Sequence, residues 1–396
     1  VAQEGVVSGS VFADSRCAAA CSIRETPCKA GTASRGTIPP QVVGGSFAQD
    51  GQGTEPSRSA QHLLETSFMN FVRRALMVAC AAALGTASLA AHAADPYPNK
   101  PVTMVVPFSA GGPTDNVARA LAESMRKSLG QQIVVENVGG AGGTVGTNRV
   151  AKAQPDGYSV LLMHIGFSTA PSLYRKLAYN PETDFEPIGL VVEVPMTIVA
   201  RSDFAPANFK DFVAHLKANK DKLNFANAGI GSASHLCGLM FMSSIQTDIQ
   251  TVPFKGTADA MTALVGKQVD LMCDQTTNTT EQIRANRIKA YAVTSGARVE
   301  TLPSIPTTAE SGFPNVQVGV WHGVWVPKGT PKPVIDKLVA AVNDGMKDPA
   351  FRDRMAKLGA TVYPANRATP AALGDHVKKE IARWGPIIKA AGVYAD

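Results

Sequence analysis

Pro101-Val102-Thr103-Met104-Val105-Val106-Pro107-Phe108-Ser109-Ala110-Gly111-Gly112-Pro113-Thr114-Asp115 is the most informative run in the chain. Val102, Met104, Val105 and Val106 make a mostly apolar segment, as a strand buried on both faces of a parallel sheet requires. Ala110, Gly111 and Gly112 are small enough for the backbone to turn sharply after it. Val117, Leu121, Met125 and Leu129 then recur at every fourth position, the stripe of an amphipathic helix, and Gly130 ends it. Strand, glycine-rich turn and helix in that order predict a βα unit with right-handed crossovers to further parallel strands.

The same grammar extends outward. Ile133 to Val135 reads as a strand, Gly139 to Gly143 as a tight loop leading into a short helix through Val150, and Tyr158 to His164 as a third strand. A second α/β unit follows. Its predicted strands are Thr197 to Ala200, Leu223 to Ala226, Thr251 to Phe254, Val269 to Cys273 and Ala290 to Val293. Its predicted helices are Phe209 to Ala218, Ser234 to Met242, and one bearing Met261, Leu264 and Val265. A strand from Val318 to Val326 and helices beginning at Pro333, Pro349 and Pro370 complete the chain, proline being well placed in a first helical turn.

Upstream of this, residues 1–68 show no sustained period and contain no methionine; they are expected to be disordered translation ahead of the true start. Residues 69–93 read as a signal peptide: Arg73 and Arg74 form a basic start, Ala75 to Ala91 is uncharged, and Ala91-His92-Ala93 is a cleavage pattern. That implies export. The 396 residues, 45% hydrophobic and 18% charged, exclude a disordered tail protein and a polytopic membrane protein. The net charge of +6 is spread without any basic run interleaved with aromatics, so no nucleic-acid partner is expected. Only Cys237 and Cys273 follow the signal; two small buried residues are the preferred reading, and pairing in an oxidising compartment is the open alternative.

Candidate chemistry gathers at two turns, each of which taken alone reads equally as a plain βα loop with good capping. Phe108, Ser109, Ala110, Gly111 and Gly112, with Thr114 and Asp115, join a buried strand to a helix start. Backbone N–H groups there have no acceptor in the helix, and the helix dipole favours an anion. Asn227, Gly229, Gly231, Ser232, Ser234 and His235 repeat the arrangement in the second unit. One such turn per unit suits a ligand held between two bodies, beyond the carboxyl ends of the strands. Asp274, followed by Thr276, Thr277 and Asn278, reads either as a polar wall or as a polar loop. The Gly139 to Gly146 stretch misses G-x-G-x-x-G, since the last glycine position falls on Val145, so no dinucleotide cofactor is expected. No histidine has a second His or Cys at ligand spacing, so no metal is expected either.

At these residues the chain resembles the Bug-type solute receptors of tripartite tricarboxylate transporters. The likeness runs over 95–396. It is carried by Tyr97-Pro98, the Pro107 to Asp115 turn, Gly139 to Gly143, Pro155-Asp156-Gly157-Tyr158, Gly229 to His235, Val252 to Gly256, Val269 to Met272, Pro303 to Thr307, and Trp325 to Pro331. The resemblance implies a two-lobed periplasmic-binding-protein fold of type II, with two doubly wound lobes joined by two crossing hinge strands. Lobe 1 would be 94–196 plus 322–396, and lobe 2 would be 197–321. It implies a monomeric, non-enzymatic periplasmic receptor that grips a carboxylate with backbone amides of both turns and hands it to membrane permease subunits. Phe167 and Ser168 would join Asp274 in shaping the distal pocket. Citrate-like acids, C4–C6 dicarboxylates, acidic or neutral amino acids, nicotinate and aromatic dicarboxylates such as terephthalate lie within the implied range; Phe167 and Trp321 are offered as stacking residues for an aromatic ring, with core packing as the commoner role of such residues. Two rivals remain at this level: a ligand sensor for a membrane signalling protein, and an enzyme using His235 and Asp274 as an acid/base pair.

Overall fold

The computed structural model describes residues 69–78 and 96–395. The expectations for 1–68 and for the Ala91-His92-Ala93 cleavage pattern fall outside them. Residues 69–78 form helix α1, with exposed side chains. No described helix is long and apolar enough to cross a membrane. Contacts divide the chain at Ala90/Ala91, and the second unit holds everything below.

Each half of that unit is built on three parallel strands. In the first, β1 (Val102–Val106) lies between β2 (Ile133–Asn137) and β3 (Ser159–His164). In the second, β5 (Asn224–Asn227) lies between β6 (Gln250–Pro253) and β7 (Leu271–Gln275). The chain passes from one half to the other in β4 (Phe185–Arg201). Its residues from Phe185 to Pro195 pair antiparallel with β9 (Gly319–Pro327), and those from Met196 onward pair with β7 and with β8 (Ile288–Val293). The short β10 (Thr361–Val362) also pairs with β4. The return crossing meets β4 at Thr294. Its N–H donates to the Met196 carbonyl at 2.8 Å, and its hydroxyl donates to the Val318 carbonyl at 2.7 Å. This second unit is therefore two-lobed, with two strands of backbone clasped where they cross.

The sequence expected only Thr197 to Ala200 of β4. Pro187 and Pro195 interrupt the pattern, and the ladder accommodates them with register shifts between Pro187 and Gly189 and between Leu190 and Val192. Two helices were also missed: α4 (Gly166–Leu173), and α8 (Thr276–Arg284), where a polar loop was one reading.

The helices nearest the cleft explain themselves. α2 (Pro113–Leu129) has proline in its first turn and buries Val117, Leu121, Met125 and Leu129. It ends on Gly130 at φ 70°, whose N–H bonds the Arg126 carbonyl. α6 (Ala233–Ser244) begins at Ser232, whose hydroxyl accepts from the His235 N–H at 3.3 Å. α3 (Thr144–Ala151) follows a glycine loop in which Gly140, Gly142 and Gly143 all have positive φ, as the tight-loop reading requires. α7 (Thr257–Val265) closes the set that faces the cleft.

Cys237 on α6 and Cys273 on β7 form a disulfide, with Cα atoms 6.0 Å apart. Of the two readings the sequence left open, the less favoured one, pairing, is the one observed. The two are buried as expected, but α6 packs on β7 and brings the side chains face to face.

Candidate functional site

The two predicted turns meet across the cleft. Between them is a cavity of about 10 Å³ lined by Phe108, Pro113, Thr114, His164, Ala228, Ser232, Ala233, Ser234, Thr257, Asp274 and Gln275. That is about the space of one water. The lobes are in contact around it. Ser109 donates its hydroxyl to Asp259 at 2.5 Å, Asn116 donates Nδ2 to the Thr277 carbonyl at 2.9 Å, and Tyr174 donates its hydroxyl to the Ile230 carbonyl at 2.7 Å.

The structure reassigns the donors within the turns. Asp115, expected near a ligand, points back into its own lobe. Its Oδ2 accepts from the Gly111 N–H at 2.8 Å and from Arg119 Nε at 2.8 Å, and its Oδ1 accepts from Asn137 Nδ2 at 3.0 Å. Burial opposes its ionisation, but the bonds from Arg119, Gly111 and Asn137 outweigh that and hold its carboxyl below the usual range. In the second turn the Gly229 N–H bonds Asn227 Oδ1 at 2.9 Å, and the Gly231 N–H bonds His235 Nδ1 at 3.3 Å. The Ala228 N–H bonds the Ser234 hydroxyl at 2.8 Å. Gly111, Gly229 and Gly231, with φ of 78°, 93° and 83°, shape the turns, and side chains already occupy their amides. Besides Phe108, Ala228 and Ser232, the first turn of each helix reaches the cavity: Pro113 and Thr114 on α2, Ala233 and Ser234 on α6. The amides of Thr114 and Ser234 lie ahead of the first acceptor in their helices.

Of the other expected residues, Phe108 lines the cavity and stacks on His164 with ring centroids 4.6 Å apart. Asp274 lines it too, buried at the end of β7, with Oδ1 accepting from the Gln275 N–H at 2.8 Å and Oδ2 from Asn278 Nδ2 at 2.6 Å. Burial pushes its carboxyl up to about 7 despite those bonds. Ser109 belongs to the contact between lobes, and Ala110 and Gly112 belong to the turn backbone. Phe167 does not reach the cavity: it packs between Trp325, Phe185 and Tyr179, with centroids 4.5 to 6.2 Å away. Ser168 is buried beside it in α4. Trp321 is likewise buried, donating Nε1 to Glu380 at 3.3 Å. Both were offered as stacking residues, and the apolar demand of the core claims them instead.

Sequence reasoning missed His164, His322, Thr257 and Gln275. His164 is buried, accepts the Gly166 N–H on Nδ1 at 3.1 Å, and lies with its ring centroid 5.7 Å from that of His322. Burial, with His322 alongside, holds it far below its ordinary value, so it is neutral with its proton on Nε2. His322 contacts the Thr114 hydroxyl at 3.3 Å. Burial pulls it down to about 3 and His235 to about 4, which leaves His235 a poor base at neutral pH. Strand ends were the available signal: His164 closes β3 and Gln275 closes β7.

A far larger cavity, about 510 Å³, lies among α4, α6 and α11 (Pro370–Ala391). Leu173, Leu236, Met240, Trp384 and Ile388 line it without a charged side chain. Size favours it, but its chemistry does not suit an anion.

A family model described as the tripartite tricarboxylate transporter family receptor matches residues 117–393. The chain belongs to this family. An Agrobacterium vitis protein of the UPF0065 group, from the TAR-I ttuE-ttuC' intergenic region, is 50% identical over 302 residues, 76% of this chain and 87% of that one. The solved structure of the periplasmic binding protein BugD is 62% identical with a TM-score of 0.74, covering 75% of this chain and 99% of its own. MatC from Rhodopseudomonas palustris, solved with bound malate, is 42% identical with a TM-score of 0.72, covering 74% of this chain and all of its own. The chain is thus a solute-binding receptor of the tripartite tricarboxylate type, and its family is one of receptors rather than enzymes.

Proposed function

We propose that this receptor works in the periplasm as a monomer, captures a small carboxylate between its lobes and presents it to the permease subunits of a tripartite transporter. The observation that carries this reading is the convergence of two helix N-termini, α2 from one lobe and α6 from the other, on one buried cavity. Each contributes unused amide donors and a positive dipole end. A carboxylate there satisfies donors from both lobes at once, so binding favours the closed form. The lobes divide near residues 196 and 321, with Thr294 and Met196 at the hinge. A cavity this small admits a ligand only from an opened state, which couples capture to closure. The malate bound by MatC supports the choice of a carboxylate. With Phe167 and Trp321 in the core, the aromatic wall is Phe108 and His164 alone, which favours a short aliphatic acid over terephthalate.

Calorimetric titration with a panel of aliphatic and aromatic carboxylates tests this. One-to-one binding of at least one aliphatic acid, without turnover, is expected; micromolar affinity corresponds to about 8 kcal/mol. Failure of every carboxylate to bind, or steady conversion of a bound one, contradicts it.

A further inference from the structure

The cavity of about 510 Å³ among α4, α6 and α11 shares no residue with the carboxylate site. One lobe supplies Leu173, Trp384 and Ile388 to its wall, and the other supplies Leu236, Leu239 and Met240. Leu173, Leu236, Trp384 and Ile388 are each at most 4% exposed, whereas Ile387, at the rim, is 48% exposed. The apolar surface therefore lies at the bottom of a pit, where a flat protein face would not reach it. A cavity of about 150 Å³ with such walls holds one benzene, so this one has room for about two or three fused rings or a medium alkyl chain.

Polar side chains enter the wall only as Ser243, Ser244 and Asn315, and Ser243 and Asn315 are exposed. Trp384 commits its Nε1–H to Glu380 at 3.0 Å, which leaves its ring to the pit and sets a carboxyl behind the wall. No cation lines the pit to offset an anion, and burying an unpaired charge is costly. The occupant that fits is uncharged and apolar, with a polar group at one end at most. The helix α6 joins the two places: its first turn lines the carboxylate cavity, and Leu236 to Ser244 line the pit. Because the two walls belong to different lobes, a molecule touching both gains contacts in the closed form that an opened form lacks.

We propose that this pit is a second ligand site, for an uncharged aromatic or alkyl molecule, and that its occupant tightens carboxylate binding by holding the lobes closed. The coupling, though not the site itself, rests on the receptor reading above. Linkage makes the effect mutual.

The test is fluorescence titration of the receptor with N-phenyl-1-naphthylamine, a neutral probe that brightens in apolar surroundings. It is run with and without saturating L-malate or, if malate does not bind, the tightest acid of the carboxylate panel. One probe per receptor is expected. The acid should tighten the probe about fivefold or more, and the probe should tighten the acid by the same factor in calorimetry. Met240→Trp, which fills the pit, should weaken the probe about tenfold or more. Ile387→Glu, at an exposed position that tolerates change, should weaken it about threefold or more while binding the acid alone as the wild type does. No probe binding, or a probe affinity unchanged in both variants, overturns the site. Probe and acid binding independently of each other overturns the coupling. Probe binding lost as the receptor self-associates in sedimentation shows a second copy covering the pit, and overturns the inference too. Absence of binding by every acid, with probe binding intact, overturns the receptor reading and the coupling with it, and supports the site alone.

Discussion

Asp274 is a buried carboxyl on the wall of the candidate site. A carboxyl in an unfolded chain gives up its proton near pH 3.9; here burial delays that to about 7. As pH rises the unfolded state therefore loses its proton first. The folded chain loses stability across roughly pH 4 to 7 on this account and levels off above. Asp274→Asn removes that slope, so its melting temperature should gain on the wild type between pH 5 and 8. A gap independent of pH would show that the carboxyl ionises normally. His235 and His322 act in the opposite direction: folded values of about 4 and 3 against roughly 6.5 unfolded mean stability lost as pH falls below 6.5. The variant keeps that acid limb. At this scale the sequence was half legible. Glycines at strand ends pointed to two turns that line one cavity, but which amides they leave free depends on where Asp115, Asn227 and His235 turn their side chains, and spacing does not encode that.

Among elements, β1 with its turn and α2 was readable from its apolar run and its stripe because local chemistry alone determines it. β4 was not: its length comes from pairing with β9, β7 and β8, partners far away in sequence that override two prolines. The Cys237–Cys273 link is equally non-local, closing a loop with a separation of 36 residues. It ties α6, which carries Ser234, to β7, which carries Asp274. Chain entropy assigns such a loop about 4 kcal/mol, and less is commonly realised. Cys237→Ala with Cys273→Ala should lower the urea midpoint by the equivalent of about 2–4 kcal/mol and weaken ligand binding. An unchanged midpoint would mean that packing of α6 on β7 suffices without the bond.

For the whole molecule, closure is set by contacts away from the ligand. Gly142, at φ 61°, lies against the Ile230 carbonyl of the opposite lobe, and a Cβ there would collide with it. Gly142→Ala should hold the lobes apart and weaken carboxylate binding by about tenfold or more without touching the cavity wall. Small-angle scattering should then show the liganded variant staying as expanded as the free protein, whereas an equally compact liganded state would show that the glycine is dispensable. The two-lobed plan was legible because the βα grammar occurs twice, but closure was not, since it rests on backbone approach between distant loops. The most direct measurement is a crystal structure of the receptor with its tightest-binding aliphatic acid. We expect one carboxylate oxygen within about 3 Å of the Thr114 amide of α2 and its partner oxygen equally near the Ser234 amide of α6. An acid bound outside this cleft, or held chiefly by lysine or arginine side chains, would contradict the account.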